Sequence, residues 1–183
     1  ASSIALIPSE EINALALPGG HIVVFSGLVE QAESENELAM VLAHELGHFA
    51  HRDHLRRLGR GLVLALGAYL AFGGDSATGD LVSRFISVSE SHYSREQESA
   101  ADHFGLDLLV ATTGHAGGAT DFFARVGEKA GRRAPYLLAS HPHPGDRVRE
   151  LEGWIATGGY RIGRTVPLGE DLLVELADVE RGF

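Results

Sequence analysis

Five consecutive residues, His44-Glu45-Leu46-Gly47-His48, constrain this chain more than any other stretch. Apolar residues recur around them at Leu38, Val41, Leu42, Leu46 and Phe49, which is a helical period. Residues four apart on a helix stand one above the other. His44 and His48 therefore offer two imidazole nitrogens to one point. Glu45 lies about 100° further round, at ~3.6 residues per turn. It can reach a water beside an ion held there, but it cannot complete the ligand set. This is the H-E-x-x-H arrangement of zinc hydrolysis, with Glu45 as general base. The plain alternative is a surface helix with two histidines and a solvated glutamate. The apolar flanks Leu42, Ala43 and Leu46 argue for a buried helix instead. Burying two histidines and a glutamate with no common partner is costly.

Composition narrows what can surround that helix. A length of 183 residues suits one domain, 1–183, and 44% hydrophobic residues suffice for a core. The net charge of -10 excludes the basic footprint of a nucleic-acid binder. With no cysteine there is neither a disulfide framework nor a thiolate metal site. No apolar run approaches the ~20 residues of a membrane span. Residues 61–74 form the longest apolar stretch. It is read first as buried packing, and second as a contact with a membrane or a membrane protein. The chain opens at Ala1 without a signal-peptide pattern, which suggests a processed or trimmed form.

Along the chain, Asn13 to Leu17 and the β-branched run His21 to Phe25 flank Pro18-Gly19-Gly20, a hairpin signal. Leu28 to Ala32 suggests a short helical turn. Ser34 with Glu37 reads as a capping box that starts the motif helix. That helix is expected to run to about Leu58, with His51, Arg52, His54, Arg56 and Arg57 as a solvated basic end. A short apolar helix should cover Gly61 to Phe72. Asp80 to Thr113 reads as helical with a break near 87–94, followed by helices from Ala116 to about Ala130 and from Pro144 to Ala156. Residues 160–183 form a C-terminal extension with a strand-like segment near 172–176.

A catalytic zinc takes three protein ligands and leaves one position open. His54 fits the metzincin spacing. On an unbroken helix, however, it lies ~15 Å beyond His44, position 51 is His rather than Gly, and the only methionine is Met40. Glu98 is the better third ligand. Asp102, four residues on, shares its face and can accept the free N–H of a ligating histidine. Ser99, Ala100 and Ala101 are small enough to let the two helices approach closely. The alternative for this stretch is a solvated acidic turn paired with Arg95.

Four motifs in order now resemble one family. Ser94-Arg95 with Glu98 and Ala101-Asp102 is similar to the second motif of HtpX-type and CAAX prenyl endopeptidase-type gluzincins. Asn13-Ala14 with Ala16 and Pro18-Gly19-Gly20 resembles that family's strand motif, and Ser140-His141-Pro142 with Arg147 its third. The motifs cover 13–147, and the likeness is nearest to soluble, BepA-like members of the bacterial cell envelope. Unlike HtpX itself, this chain has no apolar run long enough to span a membrane.

The resemblance implies a helix-rich α+β zincin-like metallopeptidase domain with one small sheet. It implies one zinc per chain on His44, His48 and Glu98, with Glu45 as base in the attack of a zinc-activated water. His141 and Arg147 would stabilise the oxyanion, or His141 would be a fourth ligand that caps the metal in a resting form. An extended polypeptide would lie along residues 21–25 as the sheet's edge strand. The implied activity is endopeptidase cleavage of unfolded or misassembled protein, in the periplasm or cell envelope and membrane-associated. The competing class is a non-catalytic zinc-binding chaperone or binding module.

Overall fold

The computed structural model describes residues 3–17, 21–73, 93–129, 141 and 143–169. Three short strands come first: β1 (Ser3–Ile7), β2 (Ala14–Leu17) and β3 (His21–Phe25). They are followed by α1 (Ser26–Gln31), α2 (Glu35–Ala50), α3 (Asp53–Phe72), α4 (Arg95–Thr113), α5 (Asp121–Lys129) and α6 (Pro144–Gly158). This is a helix-rich α+β fold with one small sheet, as the motifs imply. The expected break near 87–94 and the strand-like segment near 172–176 fall largely or wholly outside the described residues.

The sheet order is β1-β3-β2. β2 and β3 pair antiparallel, Ala14 opposite Val24, which is the hairpin the Pro-Gly-Gly signal predicts. β1 pairs parallel with β3, Ser3 opposite His21. Residues 21–25 are therefore the central strand, not the edge, and both their hydrogen-bonding sides are taken. The edge strand that runs beside the motif helix is β2. Ile22 and Val24 alternate inward from β3 onto the core. There they meet Leu28, Met40, Val41, Leu106, Leu109, Phe122 and Leu151, all buried. Burying a side chain of this size stabilises the fold by roughly 1.5–3 kcal/mol.

α2 and α4 form the spine of the domain, and small residues bring them together. A Cβ on Gly47 would lie 2.9 Å from the backbone of Ala101, and one on Gly105 only 3.1 Å from the backbone nitrogen of His44. The helix starts differ from the expected pattern in an informative way. Ser34 caps α2 by accepting from the Glu37 amide at 3.2 Å. The Glu37 carboxylate does not return the bond to Ser34. It accepts from the Glu33 amide and from Arg125 on α5, each at 3.0 Å, and pins α5 against α2. The reciprocal capping box belongs to α4, between Ser94 and Gln97.

The motif helix also stops earlier than its sequence suggests. It ends at Ala50, and Arg52 takes a left-handed conformation at φ 57°. A new helix starts at Asp53 and runs unbroken through the apolar stretch to Phe72. A non-glycine residue in that region costs about 1–2 kcal/mol. The offset comes from Asp53, which the break turns into the interior with no exposed surface.

Candidate metal centre

His44 and His48 point from α2 towards α4, with their Nε2 atoms 3.2 Å apart. Glu98 comes up from α4, with Oε1 3.3 Å from His48 Nε2 and Oε2 3.6 Å from His44 Nε2. His141 closes the group from the segment before α6. Its Nδ1 lies 2.8 Å from Glu98 Oε1 and 3.2 Å from His44 Nε2. One ligand atom from each of His44, His48, Glu98 and His141 falls within 4.8 Å of the others, and all four residues are buried. Glu45 stands next to them, its Oε1 3.3 Å from His141 Nε2.

A second layer of carboxylates fixes the two α2 histidines. His44 Nδ1 is 2.8 Å from Asp102 Oδ1, and His48 Nδ1 is 3.0 Å from Asp53 Oδ2. Each ring carries its proton on the Nδ1 side, donated to the carboxylate, which leaves the Nε2 lone pair facing the centre. Asp53 was not legible as a site residue. The sequence reads it as part of a solvated basic helix end, yet it is buried and also accepts from Gln97 Nε2 at 2.8 Å. The available signal was a lone acid within the run His51 to Arg57. Tyr93 was also missed; its ring stacks on His48 at 3.7 Å, 11° from parallel.

Arg147 was expected beside a reacting oxyanion, and its surroundings give it other work. Nε and Nη2 fork onto Asp102 at 2.8 and 2.6 Å, and Nη1 lies 3.4 Å from Glu98 Oε2. The guanidinium covers the Phe123 ring at 4.1 Å and is almost wholly buried. His143, which precedes α6 with φ 67°, is exposed and stands outside the cluster. The side chain of His54 lies outside the described residues.

The electrostatics follow from this packing. Burial, and then the charge of Arg147, push the His44 pKa down to about 4, so the ring is neutral at pH 7. For His48 burial also disfavours the charged form, but its hydrogen bond to Glu98 and the charge of Glu45 outweigh it and raise the pKa. Burial would lift Glu98 and Asp102 as well. His141 and His48 instead hold Glu98 well below the usual carboxylate range, and Arg147 with His44 holds Asp102 at about 2. Both carboxylates are ionised.

This donor set calls for a cation. The ligating atoms of His44, His48 and His141 and an ionised Glu98 converge on one buried point. Glu45 Oε1 and Glu98 Oε2 are buried without a hydrogen-bond partner among the described residues. Three imidazoles and one carboxylate suit a divalent ion of borderline softness.

A profile of peptidase family M48 matches residues 2–155. The chain belongs to peptidase family M48. Its relatives carry protease, metalloprotease and metalloendopeptidase names. The metalloprotease YcaL of Escherichia coli K12 is 32% identical over 158 residues, 82% of this chain and 61% of that protein. The beta-barrel assembly-enhancing protease of the same strain is 29% identical over 160 residues, 79% of this chain and 32% of its own. The mitochondrial metalloendopeptidase OMA1 of Schizosaccharomyces pombe is 28% identical over 146 residues, 78% and 43% respectively. This M48 chain thus spans between a third and three-fifths of the length of these curated relatives. No helix among its described residues is long and apolar enough to cross a membrane.

Proposed function

We propose that this chain is the metallopeptidase domain of a zinc endopeptidase that cleaves unfolded or misassembled polypeptides in the bacterial cell envelope. The observation that carries this is the convergence of His44, His48, Glu98 and His141 in an M48 chain, beside Glu45, whose Oε1 is buried without a hydrogen bond among the described residues. The envelope setting and the substrate class are supported by the beta-barrel assembly-enhancing protease among its relatives.

His44, His48 and Glu98 would hold the ion. Zinc, when bound, polarises a scissile carbonyl and acidifies water at its open position. Glu45 takes a proton from the attacking water and delivers it to the leaving amine. Asp102 and Asp53 hold the two histidine rings in their ligating tautomer. Arg147 is a positioning residue. It clamps Asp102 and, through it, the His44 ring. Its Nε and Nη2 fork is committed to Asp102, which fixes the guanidinium in place.

The substrate strand belongs at β2 rather than at residues 21–25. Residues 14–17 have one hydrogen-bonding edge beyond the β3 pairing, and they run beside α2. An extended peptide adding there is held by its main chain, which makes selection by side chain weak. That suits unfolded protein.

A second reading follows from His141, which lies within ligand distance of the other three donors. In this reading His141 would serve as a fourth ligand, and the site would be a capped resting form. A chain that never opened would be the zinc-binding module without catalysis. Casein digestion separates these. Wild type should cleave, chelation should stop it, and Glu45→Gln should lower the rate about 10³-fold with zinc retained. Equal residual activity in wild type and Glu45→Gln would favour the module. In the same assay His141→Ala should raise activity if the ring caps the metal, and lower it if the ring serves the transition state.

A further inference from the structure

Helix α3 carries its apolar residues outward. Leu62, Val63, Leu64, Leu66, Tyr69 and Leu70 are all exposed, Val63 and Leu70 to 72% and 75%. At 100° per residue, Leu62, Leu66 and Tyr69 share one side, Val63 and Leu70 lie beyond it, and Leu64 stands on the opposite side. The exposed apolar surface therefore covers more than half the circumference. A partner's groove takes one stripe of a helix, whereas a helix apolar nearly all round suits a medium that surrounds it. Among the described residues, the hydrogen bonds tying α3 to the rest of the chain converge on its first residue, Asp53.

Charge selects the medium. The chain carries a net charge of -10, yet residues 54–73 contain no carboxylate and three arginines, Arg56, Arg57 and Arg60. Arg56 and Arg60 are four apart on one side and both exposed. All the charge lies on the half of α3 nearest the body, and none lies from Gly61 onwards. Residues 61–72 measure about 18 Å as helix, too short for a hydrocarbon core of ~30 Å but long enough to enter one leaflet.

We propose that α3 seats this domain on an anionic membrane surface, with Leu62 to Leu70 in the acyl region of one leaflet and Arg56 and Arg60 at the phosphates. Cations at the headgroups and an apolar body below them are the general design of an interfacial anchor. Because α3 starts at Asp53, which touches His48, this anchor joins the body beside the metal centre. The inference is independent of the hydrolytic reading, since it is read out by binding alone.

The test is flotation of the purified chain with vesicles of phosphatidylcholine, with and without about 30% phosphatidylglycerol. Wild type should float with the anionic vesicles, and added salt should weaken its binding. Leu66→Asp/Leu70→Asp should weaken binding by at least about 100-fold, and Arg60→Ser by about fivefold on anionic vesicles only. Circular dichroism and zinc content establish that each variant is folded. Should the double variant fail to fold, Arg60→Ser and the salt dependence carry the test. Wild type that floats with neither vesicle overturns the proposal, as does a folded double variant that floats like wild type. Light scattering showing a dimer that the double variant abolishes, with no vesicle binding, replaces the membrane with a second copy of this chain.

Discussion

α2 and α3 are neighbours, two residues apart, and they break the usual inside-out rule in opposite directions. α2 buries its polar residues: Asn36, Glu37, His44, Glu45 and His48 all lie inside. α3 exposes its apolar ones, from Leu62 to Leu70. Neither arrangement is stable by itself. Buried ionisable groups need partners, and a contiguous exposed apolar surface needs cover. The two differ in how much the chain supplies. Around α2 it provides Asp53, Asp102, Arg147 and Glu98, so that only the centre of the cluster wants a charge. Around the outer half of α3, the described residues leave these six side chains uncovered. Each violation marks a place where the chain meets something other than itself, an ion in one case and a surface in the other.

The contrast predicts large effects near α2 and small ones on α3. Arg147→Ala should have the greatest effect on folding. It leaves Asp102 buried and ionised without its partner, a loss of about 3–5 kcal/mol, visible as a fall in melting temperature. An oxyanion donor would behave differently, lowering kcat about 10²-fold with the melting temperature kept.

Acid comes next. His44 titrates at about 4 in the folded chain against 6.5 unfolded. Below 6.5 the unfolded chain takes up a proton that folded His44 refuses. The stability it contributes is thus complete above 6.5 and lost as pH falls towards 4, on the order of 3 kcal/mol. His48, whose pKa is raised, works in the opposite sense: its share is present below 6.5 and lost as pH rises through its folded value. Melting of the chelated protein should therefore drop between pH 6.5 and 4, and the His48 share, already complete below 6.5, does not offset that drop. Asp102 extends the loss from the ordinary carboxylate value of 3.8 down to about 2. A melting temperature that is flat or rises towards pH 4 would contradict this.

Asp53→Asn tests the outer carboxylates more gently. The amide can still accept from His48 but no longer stabilises charge on it, so zinc affinity should weaken 10–100-fold in a chelator competition. No change would make Asp53 only a helix start. The smallest effect belongs to the other region. Leu70→Asp should move the stability of the soluble chain by no more than about 0.5 kcal/mol in urea unfolding. A fall of several kcal/mol would mean that α3 is part of the core after all.

Much of the molecule was legible where local rules and tertiary demands agree. The α2 period, the hairpin around Pro18, Pro144 at a helix start, and the shared face of Glu98 and Asp102 are local patterns that packing leaves intact. The misses share one cause. Nothing in His51 to Arg57 forbids a continuing helix; it stops because Asp53 is worth more against His48 and Gln97 than Arg52 loses in a left-handed turn. Residues 21–25 look like an edge only until β1 pairs on their far side, and a parallel pairing leaves no turn signal in the sequence. Glu37 has the spacing of a capping box, but Arg125, 88 residues away, claims its carboxylate. The direction of Arg147 depends on Asp102 and Phe123, which no local pattern links to it.

The central claim is that the polar residues buried by α2 and α4 exist to hold one ion. Metal analysis of the purified chain, wild type against Glu98→Ala, tests it most directly. The account predicts one zinc per chain in wild type. In the variant the zinc should be lost on dialysis while circular dichroism still reports a folded, helical protein. Wild type without stoichiometric metal, or Glu98→Ala that keeps its zinc undiminished, would contradict it.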